Sequence, residues 1–317
     1  MLKWNKLGRI FDPSTIKDRP WLHEFAQCTS TIIFDDHVRI YFSCRPPRDE
    51  NGQFVSYTSF VDFDRKNLNK IIRVAEKPIL ELGELGTFDE FGIYPSCTIK
   101  LNNLIYFYYA GWTRLTSIFS NVEIGVAISE DGENFRRLGK GPILSRTLME
   151  PFQASGPKVR MFNDKLYMFY IAGEKWILNN DGKSESIYKI RLATSEDGLN
   201  WNRDGKNILD PILEEDECQA GPDVFFYNGK FHMYFSYRYG LDFRNNDRGY
   251  RVGYAYSQDL IHWTRDDGNA GIQLSDSGWD SKDMHYPHVF ELDGKMYMLY
   301  NGNEFGRFGF GLAELIE

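Results

Sequence analysis

Five short stretches of the chain gather the side chains best suited to acid–base work on a hydroxylated ligand. They read Glu24-Phe25-Ala26-Gln27-Cys28, Phe88-Asp89-Glu90-Phe91-Gly92-Ile93-Tyr94, Glu150-Pro151-Phe152-Gln153-Ala154-Ser155, Glu217-Cys218-Gln219-Ala220-Gly221-Pro222-Asp223 and Trp279-Asp280-Ser281-Lys282-Asp283-Met284-His285-Tyr286-Pro287-His288. Each supplies at least one carboxylate, and Gln27 and Gln153 add amides. Carboxylates accept hydrogen bonds from hydroxyls, and aromatic rings offer flat apolar faces on which a ligand ring can lie. Breaking a glycosidic bond needs two carboxyl groups in different environments, one protonated and one ionised. Asp89, Glu150, Glu217, Asp223 and Asp283 are the candidates, with Glu90 beside them. The competing reading is that acids in connecting loops are solvated or cap turns.

Other side chains need the same weighing. His285 and His288 flank Tyr286-Pro287. No further His or Cys stands at ligand spacing, so hydrogen bonding is the expected role, and neither metal nor cofactor is expected. Arg45 and Arg238 suit a carboxylate, phosphate or sulfate on a ligand, or a salt bridge within the fold. Trp112 and Trp176 suit a stacking platform or a packed core position. The glycines are scattered at turns and make no nucleotide-phosphate loop.

These stretches belong to a repeat. Ala220–Trp263 holds an apolar run, an Asn228-Gly229 turn, the run Phe231–Tyr237, a third run at Tyr250–Ser257 and a closing Trp263, which is a hairpin signature extended by one strand. Similar units stand at 155–201, 94–135 and 286–313, with a weaker one at 29–61. Pro95, Pro157, Pro222 and Pro287 stand 62, 65 and 65 residues apart. Such a unit cannot bury its faces alone, and the period fits a propeller blade. The prediction is an all-β chain, one five-bladed β-propeller domain over residues 1–317, its ring closed by the N-terminal run Trp4–Phe11 beside Phe310–Leu315. Site residues then sit just before or on the proline-bearing innermost strands. Asp131, Asp197 and Asp259 recur in Ser-x-Asp turns and are assigned to structure.

Composition bounds the partners. Hydrophobic residues make up 42% and aromatics 16% of 317 residues, ample for a core. A net charge of −8 without a basic block disfavours nucleic acid and anionic membranes. No stretch reaches the length of a membrane span, and the N-terminus lacks the apolar run of a signal peptide. Cys28, Cys44, Cys97 and Cys218 show no paired spacing, so free thiols in a cytoplasmic protein are expected.

Phe88–Ser96, Tyr108-Tyr109-Ala110-Gly111-Trp112, the Ser-Glu-Asp-Gly turns, Trp279-Asp280-Ser281 and Tyr300-Asn301-Gly302-Asn303 together resemble the five-bladed propeller glycosidase superfamily. The resemblance covers nearly the whole chain. Its relatives are the family 43 and 32 glycoside hydrolases and the family 130 phosphorylases, and it looks closest to a branch found near polysaccharide-biosynthesis genes. It implies an Asp at the second blade, matched by Asp89, and an acid Glu at the third, matched by Glu150. Glu217-Cys218 looks like the Glu-Cys pair of family 32 but precedes blade four. The first blade departs from the pattern, with Glu24 and Gln27 where an Asp is expected. The resemblance thus implies a carbohydrate-active enzyme cleaving or transferring a glycosidic bond, with Asp89, Glu150 and Glu217 as catalytic candidates. The alternatives are a glycoside phosphorylase, with phosphate held by Arg45, Arg238 and His288, and a non-catalytic glycan- or glycolipid-binding propeller.

Overall fold

The computed structural model describes residues 2–244 and 247–317. The chain opens with β1 (Trp4–Phe11) and then makes five antiparallel units. Blade one is β2 (Glu24–Ile33), β3 (His37–Arg45), β4 (Tyr57–Asp64) and β5 (Asn67–Val74). Blade two is β6 (Gly92–Leu101), β7 (Leu104–Arg114), β8 (Ser120–Ser129) and β9 (Arg136–Arg137). Blade three is β10 (Ala154–Phe162), β11 (Lys165–Leu178), β12 (Ser184–Ser195) and β13 (Asn202–Asn207). Blade four is β14 (Cys218–Tyr227), β15 (Lys230–Arg238), β16 (Arg251–Ser257) and β17 (Trp263–Arg265). Blade five is β18 (His285–Leu292), β19 (Lys295–Asn301) and β20 (Phe310–Leu315), with β1 as its fourth strand. The innermost strands β2, β6, β10, β14 and β18 each meet the next, and β18 meets β2, which closes the ring.

The core lies between blades, because a twisted sheet with one apolar face must bury it against a neighbour. Five clusters fill the five interfaces. Phe107, Phe60 and Phe88 join blades one and two, and Met233, Phe235 and Phe169 join blades three and four. The Ser-x-Asp turns add polar ties. Tyr41 Oη donates to Gly132 O at 2.6 Å and Tyr108 Oη to Gly198 O at 3.0 Å, each reaching into the following blade. Asp131 caps that turn through the backbone of Glu133 and Asn134, which together with its neighbours offsets burial and holds its carboxyl well below the usual range. Among the described residues no helix is long and apolar enough to cross a membrane.

The closure agrees with the sequence-based expectation. β1 pairs antiparallel with β20 from Trp4 opposite Leu315 to Phe11 opposite Phe310. Trp4 Nε1 donates to Tyr234 Oη at 2.7 Å, Lys6 pairs with Asp280 at 2.8 Å, and Phe11 packs at 5.0 Å on Phe42 of blade one. Deleting residues 1–11 should therefore cost several kcal/mol, through lost burial of Trp4, Ile10 and Phe11 and the loss of a ladder. Thermal unfolding of the truncation checks this, and an unchanged midpoint would contradict it.

Candidate functional site at the channel mouth

The five innermost strands converge on the axis, and every one carries a two-residue bulge at the same place. In each, two residues stand opposite one of the next strand: Cys28-Thr29, Tyr94-Pro95, Gly156-Pro157, Gly221-Pro222 and Tyr286-Pro287. The repeated proline is the second residue of four of these pairs, with Thr29 in its place on β2, a position with no ladder bond to lose. The first residue takes a left-handed backbone at Cys28, Gly156, Gly221 and Tyr286. Glycine adopts this freely, and a Cβ on Gly156 would stand 2.5 Å from Ile171 Cδ1. Cys28 and Tyr286 hold it at a cost of roughly 1–2 kcal/mol each. Side chains fix both: Asn301 Oδ1 accepts from Cys28 N at 3.1 Å, and Ser236 Oγ accepts from Tyr286 N at 2.8 Å.

These bulges line one cavity of about 220 Å³, somewhat smaller than the roughly 300 Å³ at which ligand pockets usually begin. Its walls come from the middle strands and the loops at the same end. Phe54, Trp112 and Phe119 form one side, Trp112 lying on Phe119 at 5.9 Å and 22° and donating through Nε1 to Ser56 Oγ at 2.8 Å. Tyr94, Tyr286, Tyr250 and Tyr188 form another, joined as hydroxyl pairs: Tyr94 to Tyr286 at 3.2 Å and Tyr188 to Tyr250 at 2.6 Å. Burial raises the phenols of Tyr94, Tyr188 and Tyr286 above their usual range, so all three keep their protons. The charged side chains in the lining are Arg45 and Lys158, both cations. Arg45 lies among rings, 4.4 Å from Phe25, 4.1 Å from Phe54 and 5.7 Å from Tyr94, and its Nε has no partner. Burial pushes its pKa down and the Cys28 thiol up to about 12, although Lys158 and Arg45 both pull that thiol the other way.

A buried charge network lies beside the bulges on β10, β14 and β18. Asp223 accepts two bonds from Arg160 Nη2, at 2.6 and 2.7 Å, and one from Val289 N at 2.7 Å, while His288 Nδ1 lies 2.8 Å away. The backbone of Thr31 donates to His288 Nε2, which leaves the imidazole proton on Nδ1, facing Asp223. Burial would raise the Asp223 carboxyl, but Arg160, Lys158 and His288 outweigh it and hold it well below the usual range. Burial, with Lys158 adding to it, pushes His288 down to about 3. Two cations therefore face one carboxylate, and the spare positive charge, on Lys158, belongs to the cavity lining.

The carboxylates expected to do chemistry have other partners. Asp89 accepts from Tyr109 Oη at 3.0 Å and Arg137 Nε at 2.7 Å. Glu150 accepts from Tyr170 Oη at 2.6 Å and Arg191 at 3.0 Å, and pairs with Arg203 at 2.5 Å. Glu217 pairs with Arg265 at 2.6 Å and accepts from the backbone of Ile212 and Leu213. Asp280 repeats the device with Tyr300 and Lys6. In each case an acid at the blade entrance ties to a basic residue on that blade's outermost strand, usually past a tyrosine of the second strand. None of these acids lines the cavity.

Of the other predicted residues, Arg45, Trp112 and Gln153 line the cavity, Gln153 donating to Ser186 Oγ at 3.0 Å. Gln27 donates to the Phe305 carbonyl. Glu90 accepts from Gly86 N within its own loop, and Trp176 is half-buried on β11. Arg238 and Asp283 stand behind the tyrosine wall. His285 is fully buried against Tyr250 and Tyr286; neither ring nitrogen makes a well-formed bond, and burial pushes it down to about 3. Sequence reading missed Lys158, the four tyrosines and Phe54. The repeated proline was the signal for Lys158, Tyr94 and Tyr286, which adjoin it. Among the described residues no three His, Cys, Asp or Glu side chains are grouped to hold a metal.

No sequence model of a family matches the chain. An uncharacterised protein of Mycobacterium tuberculosis is 33% identical over 315 residues, covering 99% of each chain. A 1,2-beta-oligomannan phosphorylase of Thermoanaerobacter sp. is 26% identical over 202 residues, covering 61% of this chain and 59% of its own. Among solved structures, a glycoside hydrolase superposes with a TM-score of 0.76 at 16% identity over 99% of this chain and 92% of its own. A structure from the GH130 family of mannoside phosphorylases, which contains glycoside hydrolases that target beta-1,2 mannosidic linkages in Candida mannan, gives 0.71 at 13% identity over 99% and 93%. The fold is that of the five-bladed glycosidase and phosphorylase propellers.

Two outcomes follow from this geometry. Glu150→Gln should destabilise the fold by roughly 3–5 kcal/mol, because Arg191 and Arg203 lose a buried partner; an unchanged melting temperature would contradict the tie. Stability should also fall with acidity. His285 and His288 are held neutral, so below pH 6.5 the unfolded chain binds protons the folded one does not. Each costs about 1.4 kcal/mol per pH unit, roughly 4 kcal/mol together at pH 5. The depressed carboxyl of Asp223 acts only lower, its contribution fading as pH drops below the ordinary Asp range. Denaturant titrations at pH 7 and pH 5 measure the difference, and His285→Phe should remove about half of it. A flat profile in the wild-type chain would contradict the account.

Proposed function

The chain belongs to the family of the Mycobacterium tuberculosis protein, and we propose that it is a carbohydrate-active propeller that transfers a glycosyl group to phosphate at the channel mouth. One observation carries the reading: the charged side chains lining the cavity are two cations, Arg45 and Lys158, with no carboxylate among the lining residues. Hydrolysis by two carboxyl groups needs both beside one bond, with a water between or a covalent contact. Transfer to phosphate needs instead a site for an anion, which a guanidinium recognises with a fork of donors. Arg45 has no ion-pair partner among the described residues, so an anion would complete it. The rings of Phe54, Trp112, Phe119 and Tyr94 supply flat faces for the sugar. In the reaction a phosphate oxygen bonds to the anomeric carbon, the glycosidic bond breaks, and the leaving oxygen takes a proton. The partial likeness to a 1,2-beta-oligomannan phosphorylase supports the same class. The reading includes one domain over the whole chain and a cytoplasmic setting, in keeping with four free cysteines.

A second reading, a non-catalytic binder of an anionic glycan, is favoured by the missing carboxyl group. The experiment incubates the protein with 1,2-beta-mannobiose and other oligosaccharides, with and without inorganic phosphate, and assays sugar 1-phosphate. We expect phosphate-dependent release, lowered at least tenfold by Arg45→Gln, mainly through the KM for phosphate. Binding of phosphorylated or acidic oligosaccharides without turnover would establish the second reading. Release of free sugar without phosphate, lost in Glu150→Gln and kept in Arg45→Gln, would return the chemistry to the carboxylates and overturn the proposal.

A further inference from the structure

A cavity without a carboxyl group must find the proton for a leaving oxygen elsewhere. Among its lining residues the side-chain polar hydrogens are those of hydroxyls, Gln153, Cys28, the two cations and the Trp112 indole, which is bound to Ser56. One group differs from the rest in what stands behind it. Tyr188 on β12 and Tyr250, one residue before β16, share a hydrogen bond of 2.6 Å. Behind them Arg238, only 4% exposed, donates from Nη2 to Tyr188 Oη at 2.9 Å. Its Nη1 donates to the backbone of Tyr239 at 2.7 Å, and its guanidinium lies 3.6 Å over Phe243, 5.3 Å from Tyr188 and 5.4 Å from Tyr250. No carboxylate pairs with it among the described residues, so its charge is compensated by rings, carbonyls and one phenol.

The protons can be counted. Two phenols carry two O–H groups. Tyr188 Oη already accepts from Arg238, and one O–H makes the bond between the two oxygens. Whichever phenol donates in that bond, the other O–H is left over for a guest. Tyr250 is fixed for the purpose: it is 2% exposed, its N–H donates to Asp283 Oδ1 at 3.0 Å, and its ring packs on His285, Tyr286 and Phe305. Asp283 can approach so closely because residue 249 is glycine; a Cβ there would stand 2.1 Å from Asp283 Oδ1. The Tyr94–Tyr286 pair also leaves one O–H, but no cation donates into it.

We propose that the Tyr188–Tyr250 pair, backed by Arg238, is the proton donor to the leaving oxygen, an inference that rests on the phosphate-transfer reading. As the glycosidic bond breaks, the leaving oxygen takes the free phenolic proton. The negative charge stays on a phenolate that receives hydrogen bonds from its partner phenol or from Arg238. The attacking dihydrogen phosphate gives up one proton after it bonds to the anomeric carbon, and that proton restores the phenol. The net products are the sugar phosphate and the free alcohol. A phenol suits the task because it is fully protonated at neutral pH, and Arg238, donating to Tyr188 Oη, favours the phenolate against the burial that opposes it. Arg238 is a positioning residue, acting through Tyr188.

The test compares a leaving group that needs a proton with one that does not. Wild type, Tyr250→Phe and Tyr188→Phe are assayed with inorganic phosphate on 1,2-beta-mannobiose and on 2,4-dinitrophenyl beta-mannoside, whose phenolate departs unaided. Removing a general acid should lower kcat on the disaccharide by about 10²–10⁴-fold and on the aryl mannoside by less than tenfold. If Tyr250→Phe does not fold, the same split in Tyr188→Phe decides. Equal losses on both substrates in a folded variant, or no loss on either, overturn the assignment while leaving phosphate transfer standing. A wild-type chain that turns over neither substrate overturns phosphate transfer here and the proton donor with it.

Discussion

Five strands cannot reach a common axis as regular ladders, and the structure depends on how each gives way. Each innermost strand sets two residues opposite one at the same depth, one more than a regular ladder holds, and these ten residues line the cavity. The constraint explains the residue types. Proline stands where no ladder donor is needed, and glycine stands where the backbone turns left-handed. Where Cys28 and Tyr286 replace glycine, Asn301 and Ser236 satisfy the freed N–H. Asn301 also bonds to the carbonyls of Ala26 and Gly309, so it ties blade one to blade five at the point where the ring closes.

A second repeated demand shapes the charges. A four-stranded blade must hold its outermost strand, which is short in blades two and four. The chain does this with an acid at the blade entrance and a basic residue on the last strand: Asp89 with Arg137, Glu150 with Arg203, Glu217 with Arg265 and Asp280 with Lys6. The acids of these pairs are buried and their partners partly so, and removing the basic member leaves a buried carboxylate uncompensated. Because the acids serve the blades, the cavity keeps only cations. Its electrostatic character is thus a consequence of how the sheets are fastened, and it favours a guest that brings its own negative charge.

Much of the fold was legible in the sequence. The proline period gave five blades, and the unpaired end of blade five gave the pairing of β1 with β20, because both follow from backbone bonding that recurs along the chain. The site was less legible. Arg45, Trp112 and Gln153 were named and reach the cavity, but Asp89 and Glu150 were named for the same place and stand in the blade ties. Sequence shows that an acid precedes each inner strand. It does not show that Arg137 or Arg203, some 50 residues later, returns to meet it. Lys158 follows Pro157 directly and was not singled out, because a lone lysine carries no sign of the distant Asp223 and His288 it is buried beside. Tyr188 lies on the third strand of blade three and Tyr250 just before the third strand of blade four, whereas site residues were expected only just before or on the innermost strands.

The central claim is that the channel mouth is an anion site beside a sugar site. A crystal structure of the protein grown with inorganic phosphate and mannose tests it most directly. The account predicts phosphate bonded to the Arg45 guanidinium inside the ring of bulges, with the sugar ring against Trp112 or the tyrosine wall and Asp89, Glu150 and Glu217 still in their ion pairs. A cavity that stays free of anion while one of those carboxylates turns to meet the sugar would contradict it.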